Sequence, residues 1–287
     1  MINLGFHILE IGLIFVPMVI GVFITSRLIK LDDLTLEGSF NLGGAFGAFL
    51  LVHELGALTT CLLTLAIGAL LGALSGVLHT RLKVNHLISG LAVSAIAYSI
   101  SLKLVNAHCV LNPSSTLFEY GSAFLSEEWR KLGILMVIAS TLLLSLKVFL
   151  ETEIGLLLKA VGFNKDWFYK LGKDPAHFQI VGLSIANSLC SLSGCLFLQW
   201  LGFYSISNYI GTWIAGLNGL MIAELIPSSL SLGLLLGSVL NQTLFAAVIE
   251  LQMDPVWNQA IKAVLVITLL QLAKKPLNTR KKTHVAA

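Results

Sequence analysis

The chain has 287 residues, 56% hydrophobic and 11% charged, with a formal net charge of +3 and a mean hydropathy of +0.88. Soluble domains carry roughly 25% charged residues, so a water-facing globular surface is excluded and the composition is that of a polytopic membrane protein. The small positive excess sits mainly in loops and the tail, where it reports orientation and not nucleic acid, because Lys and Arg gather on the cytoplasmic flanks of spans.

At about 20 apolar residues per span, the candidates in chain order are 6–29, 38–52, 55–79, 84–105, 132–151, 177–200, 209–226, 229–251 and 256–273. They predict an all-α polytopic transmembrane bundle of about 8–10 spans. Segments 38–52 and 209–226 are short, which leaves two alternatives for each: a full crossing, or a discontinuous or re-entrant helix. The first run has no basic leader and no small-residue cleavage site, so it reads as a span and not as a signal. Arg27 and Lys30 follow it, Arg81 and Lys83 separate the third and fourth spans, a lysine-rich loop follows the fifth, and a basic tail (274–287) follows the last. The loop 106–128 carries Glu119, Glu127 and Glu128 instead. This alternation predicts an outside N-terminus and an inside C-terminus. One transmembrane domain over 1–287 is expected, with no separate soluble domain.

Gly68, Gly72 and Gly76, and again Gly233 and Gly237, recur at four-residue spacing. Such faces let helix backbones approach closely; a gating hinge is the functional alternative. Cys61, Cys109, Cys190 and Cys195 form no CxxC pair and read as small hydrophobes. Chemistry is not signalled. No G-x-x-x-x-G-K-[ST] run exists, since Gly172-Lys173 is followed by Asp174. There is no HExxH, no GxSxG and no metal-ligand spacing. No catalytic, metal or cofactor residue is expected, and any ATP that powers transport is expected on another subunit.

Three stretches remain. In 31–48, LDDLTLEGSFNLGGAFGA, acidic side chains run into a glycine-rich apolar segment. Acids in the membrane tend to mark a pathway, and irregular backbone there is tolerated where it lines a cavity. Asp33, Thr35, Glu37, Ser39 and Asn41 are the candidate path residues. For Asp32 and Asp33 the alternative is interfacial helix capping, helped by Thr35; Glu37 lies deeper and favours the path. In 200–227, Trp200, Phe203, Tyr204, Tyr209 and Trp213 read as an interfacial belt, interrupted by Gly211, Gly216 and Gly219. Asn218 and Glu224 join the path candidates, Glu224 as an interfacial residue, a brace of a discontinuous helix or a partner across the bundle. Lys103 and Lys262 are expected to snorkel, and Asn187 and Gln199 to bond between helices. In 151–175, Lys159, Lys165, Lys170 and Lys173 place a long charged insert on the cytoplasmic side, suited to docking a partner. Residues 156–158 and Val161 offer an apolar stripe for it, with Gly155 and Gly162 bracketing a short helix.

Taken in order, Asp-Leu-Thr-Leu-Glu-Gly-Ser-Phe (33–40), Thr-Glu-x-Gly-x-x-x-Lys-Ala-x-Gly-x-Asn (152–164), Leu-Ser-Gly…Gln-x-x-Gly-Phe (192–203) and Gly-Ser-Val…Met-Asp-Pro (237–255) resemble the permease subunits of bacterial ATP-binding-cassette importers in the branched-chain amino acid/ribose permease superfamily, especially the tryptophan/tyrosine-type group. The similarity spans about 10–275, and the ordered set is what makes it specific. The resemblance implies a type II importer permease fold. It also implies two cytoplasmic ATPase subunits, a second copy or sister permease, an extracytoplasmic solute-binding protein, and residence in a bacterial inner membrane. It makes 152–176 the loop that docks in the ATPase, with Glu153, Gly155, Lys159, Ala160, Gly162, Asn164 and Gly172 as coupling residues. Lys159 stands where arginine is usual, which loses bidentate geometry, and the segment WIAGLNG (213–219) departs from the aliphatic norm. On the residues alone, a stand-alone ion-coupled secondary transporter using Glu37 and Glu224 is the alternative.

Overall fold

The computed structural model describes residues 2–105, 108–112, 116–119, 126–164, 168, 170 and 172–250, with 264, 267, 268 and 271 beyond them. The expected last span 256–273, Lys262, Lys165 and the tail 274–287 lie outside the described residues, apart from those four isolated positions. Helix α1, Ile2–Phe23, runs on as one π-helical turn, Ile24–Ile29. It is followed by α2 (Thr35–Val52), α3 (Ala57–Thr80), α4 (His86–Val105), α5 (Glu127–Glu151), α6 (Glu153–Phe163), α7 (Pro175–Leu201), α8 (Thr212–Leu225) and α9 (Leu230–Glu250). Two three-residue strands, β1 (His108–Val110) and β2 (Phe203–Ser205), pair antiparallel with Cys109 opposite Tyr204. Among the described residues, five helical stretches are long and apolar enough to cross a membrane: Gly5–Ile29, α3, α4, α5 and α7. The all-α polytopic bundle expected from composition is what forms.

The helices differ in what surrounds them. The apolar window of the first is 83% buried and that of α5 only 22%, so α1 is internal and α5 peripheral. Helix α2 is enclosed almost completely, leaving only Glu37, Phe46, Phe49 and Val52 short of full burial. Beyond Asn41 its glycine, alanine and large apolar residues leave no polar face, as a helix walled on all sides requires. Helix α7 is its main neighbour. A Cβ on Gly43 would collide with the Ser191 carbonyl, and one on Gly194 with the carbonyl of Phe40. The backbones therefore cross at a separation that only glycine permits. Helix α3 lies along another side of α7, with Gly68 and Gly72 against the Asn187 and Leu183 carbonyls and Gly76 beside Ile180. Gly237 of α9 meets the Gly219 carbonyl of α8 in the same way. Both glycine series thus serve close packing.

The two short segments resolve differently. Helix α2 rises about 27 Å and α8 about 21 Å, against a hydrocarbon core of about 30 Å. The first is a nearly full-length buried helix. The second is a partial helix, entered through the left-handed Gly202, β2, a 3-10 turn at Ile206–Tyr209 and the left-handed Gly211. This entry segment dips into the bundle, which corrects the interfacial belt. Tyr204 and Tyr209 are fully buried, and Tyr209 packs on Phe40, Phe197 and Tyr204 where Gly44 leaves room for its ring. Trp200 is half-buried and donates to Glu10 at 2.7 Å.

Cys61, Cys190 and Cys195 are buried and Cys109 half-buried, all as free thiols. The Cys61 and Cys195 sulfurs lie 3.9 Å apart, and the Gln199 amide donates to both while its oxygen accepts the Leu117 N–H at 2.8 Å. Gln199 is an interhelical bonding group, as expected from its sequence position.

Overpacking a tight site costs about 1–3 kcal/mol. Gly194→Val is therefore expected to lower the thermal midpoint in detergent by several degrees. Gly133→Ala on α5, where nothing lies within 4 Å of a new Cβ, should leave it unchanged.

Candidate functional site

At one end of the bundle, α6 packs against the π-helical turn and α7. Thr152 caps this helix by accepting the Gly155 N–H at 3.2 Å, and Asn164 closes it by donating its N–H to Ala160. Gly155, Leu158 and Val161 form a buried face. Leu158 and Ile29 fill the notch left by Gly182 of α7, and Gly162 lies so close to the Leu28 carbonyl that no Cβ fits. The Lys30 ammonium sits 3.5 Å over the Phe163 ring, a cation–π contact that holds the end of α6 to the end of the π-helical turn. Lys30 itself is left-handed (φ 58) and bonds back to the Thr25 carbonyl.

This seating corrects the expected docking stripe. Leu158 and Val161 point into the bundle because three-residue spacing places them on the face of Gly155. Gly155 and Gly162 are packing contacts within the helix and do not bracket it. The uncovered face presents Glu153, Leu156, Lys159 and Phe163, with Ala160 half-buried among them. Asn164 and Gly172 are exposed, and Gly172 is left-handed (φ +67). It precedes Asp174, which caps α7 through the Ala176 N–H and pairs with Arg81 at 3.0 Å. The turn between α3 and α4 is thereby tied to the start of α7.

The path candidates on α2 form a row of buried polar groups between helices. Asp33 Oδ1 accepts the Thr35 N–H at 2.9 Å, which is the capping role foreseen for it. Its other oxygen accepts from Asn187 Nδ2 at 2.9 Å. Asn187 Oδ1 accepts from Ser39 at 2.7 Å. Thr35 does not assist the cap through its side chain; its hydroxyl donates to Ser75 of α3 at 2.9 Å. Asn41 donates to Ser101 of α4 at 3.0 Å and accepts from Tyr204 at 2.7 Å. Asp32 is exposed.

Glu37 stands apart from this row because its side chain is only half-buried. Its Oε1 accepts from the Tyr98 hydroxyl of α4 at 3.0 Å and from the Gly211 N–H at the start of α8 at 3.0 Å. Asn218 is fully buried in α8, between Gly216 and Gly219, which pack on α1. Glu224, at the far end of α8, makes a two-pronged ion pair with Arg27, whose Nη2 lies 2.7 Å from Oε2 and whose Nε bonds Oε1. Pairing across the bundle, one of its three expected roles, is observed. The α2 residues thus come together, while Asn218 and Glu224 belong to α8.

Cavities open elsewhere among the described residues. One of about 820 Å³ lies at the β1–β2 end, lined by Leu51, Glu54, Leu55, Val110, Asn112 and Glu119 among others. Another of about 400 Å³ lies beside it, against Phe118, Lys131 and Trp200, and one of about 290 Å³ lies beside Glu224 at the α8–α9 turn. Among the described residues, no group of three or more His, Cys, Asp and Glu is placed to hold a metal.

Sequence reasoning passed over three residues. Arg27 counted only as an orientation marker. Tyr98 was silent, although a tyrosine in mid-span and not at an end is itself a signal. Glu10 is 1% exposed and was hidden in an otherwise apolar run.

A family model described as the branched-chain amino acid transport system / permease component matches residues 6–270. The chain is 28% identical over 276 residues to a tyrosine transport system permease protein of Clostridioides difficile, covering 94% of this chain and 91% of the relative. It is 30% identical over 224 residues, 77% of each chain, to an uncharacterized protein of Rickettsia prowazekii. It is 23% identical over 220 residues to an autoinducer 2 import system permease protein of Photorhabdus luminescens, covering 74% of this chain and 64% of the relative. No solved structure matches.

Asp33→Asn would set an amide donor against the Asn187 amide. Leaving a buried donor unsatisfied costs about 1–3 kcal/mol. A lower thermal midpoint is expected, partly restored by adding Asn187→Asp, which re-creates one donor and one acceptor.

Proposed function

The chain belongs to the family of branched-chain amino acid transport permeases, a multi-pass membrane protein, and we propose that it is the permease subunit of an ATP-driven importer that carries a small amino acid across a bacterial inner membrane by alternating access. The carrying observation is α6, a short helix whose inner face is fixed to the bundle and whose outer face is uncovered. An uncovered Glu153, Leu156, Lys159 and Phe163 on a rigidly seated helix is a surface on which a partner ATPase can push. The other partners of the proposed assembly are a second copy or sister permease, an extracytoplasmic solute-binding protein and membrane lipid, with no nucleic acid. Hydrolysis takes place on the ATPase pair, and this chain supplies no catalytic group. Similarity to a permease named for tyrosine transport, along nearly the whole of both chains, supports an amino acid as the solute.

The seating of α6 suggests how force would travel. Displacement of α6 acts on the π-helical turn at Leu28 and Lys30. That turn carries Arg27, whose ion pair pulls on Glu224 and with it on α8. A π-helical turn is a place where a helix changes register at modest cost, and such turns occur often at functional sites.

Co-purification from the native membrane tests the assembly. Wild type is expected to bring an ATPase subunit with it. Lys159→Glu should lower the recovered ATPase about tenfold, equal to about 1.4 kcal/mol of contact, without moving the thermal midpoint. Gly162→Leu should lower both, because it unseats α6 from Leu28. A chain that purifies alone and accumulates an amino acid down an ion gradient would establish the secondary transporter instead. The relay has its own test in a double-mutant cycle: Arg27→Glu and Glu224→Arg should each depress uptake, and the combined swap should recover at least about half of it.

A further inference from the structure

Among the described residues, Asp33, Glu10 and Glu37 are carboxylates near the bundle interior whose partners are neutral groups or a histidine, and of these Glu37 alone is half-exposed while Asp33 and Glu10 are buried. Asp33 uses both oxygens on Thr35 and Asn187. Glu10 takes the Trp200 indole and faces His7. Glu224 is paired with Arg27. Glu37, in the first turn of α2, has two neutral donors on Oε1, and among the described residues no cation within ion-pair distance. A half-exposed carboxylate without a counter-charge at this depth is expensive and marks function. Tyr98 and the start of α8 hold Oε1 in place, so the carboxylate is oriented before anything binds. No protein group is bonded to Oε2 among the described residues.

We propose that Glu37 is the solute-recognition group of the permease, and that its oriented carboxylate takes the ammonium group of an amino acid passing along the face shared by α2, α4 and the start of α8. The inference rests on the amino-acid reading above and adds to it the residue that reads the ammonium group. The surroundings select among cations. A metal ion needs several oxygen ligands converging on one point, whereas the groups around Glu37 are hydrogen donors: a phenol and a backbone N–H. An ammonium needs one strong charged acceptor and weaker ones beside it. Glu37 supplies the first, and the lone pairs of the Tyr98 oxygen the second. The broken backbone at 202–211 gives the place its shape, since irregular chain at membrane depth survives where it lines a path. Unlike a fixed ion pair, this site is completed only when a positively charged group arrives. The solute's charge is then matched without a permanent partner that would have to be displaced.

The test uses the complete transporter in cells, with the twenty L-amino acids offered as a labelled mixture and import read by mass spectrometry. Glu37→Gln keeps an oxygen for Tyr98 and Gly211 and removes only the charge. It is expected to cut import of the wild-type solute at least about tenfold while co-purification of the ATPase and the thermal midpoint stay at wild-type values. Glu37→Asp is expected to restore part of the import, and Tyr98→Phe to lower it a few-fold by releasing the carboxylate. Import by Glu37→Gln at the wild-type rate would overturn the ammonium site and leave the amino-acid importer standing. Loss of import together with assembly or thermal midpoint would overturn it in favour of a purely structural Glu37. Wild-type import of none of the twenty would overturn the amino-acid reading, and the ammonium site with it.

Discussion

The crossing of α2 and α7 is the constraint on which the rest of the bundle depends. In lipid, apolar area does not drive helices together, because the surroundings are as apolar as the side chains. What remains is close van der Waals contact and hydrogen bonding between helices. Gly43 against Ser191 and Gly194 against Phe40 supply the first; Asp33, Asn187 and Ser39 supply the second across the same contact. Once this crossing is fixed, α3 follows along Gly68 and Gly72, and the ring of Tyr209 finds its slot at Gly44. The buried polar row on α2 is therefore structural where it faces α3, α4 and α7, and open only where Glu37 looks between α4 and α8.

Helix α8 links the interior of the bundle, where its start meets Glu37, to the end where Arg27 and α6 lie. A helix start carries partial positive charge and a helix end partial negative charge. Glu37 at its start is therefore favourable, while Glu224 in its last turn is unfavourable by itself. Arg27 offsets that cost with a two-pronged bond. The partial helix is thus held at its start by a group in the proposed path and at its end by a residue on the turn that seats α6. Solute recognition and the drive from the ATPase would meet on the same fourteen-residue element.

Much of the candidate coupling surface was legible before the structure. Lys159 and Glu153 were found where a partner could reach them, since a charged insert between spans must lie in water. The inward turn of Leu158 and Val161 was not legible, because an amphipathic helix declares that it has an apolar face and not what covers it. Here the cover is Leu28 and Ile29, more than a hundred residues earlier in the chain. The belt reading of Tyr204 and Tyr209 failed for a related reason: an aromatic cluster at a span end looks the same whether the chain follows the interface or turns inward.

The sequence by itself determined the class of the protein, the placement of most helices and the glycine faces, because each rests on a local rule: hydropathy over a window, spacing along one helix, charge beside a span. Only the tertiary structure decided which polar residues are spent on holding the bundle and which are left open. Asp33 and Glu37 lie four positions apart, in the same acidic stretch. One is buried with both oxygens bonded, to Thr35 and Asn187; the other is half-exposed with both of its donors on a single oxygen. That difference comes from partners 61 to 174 positions away, and no window along the chain contains it.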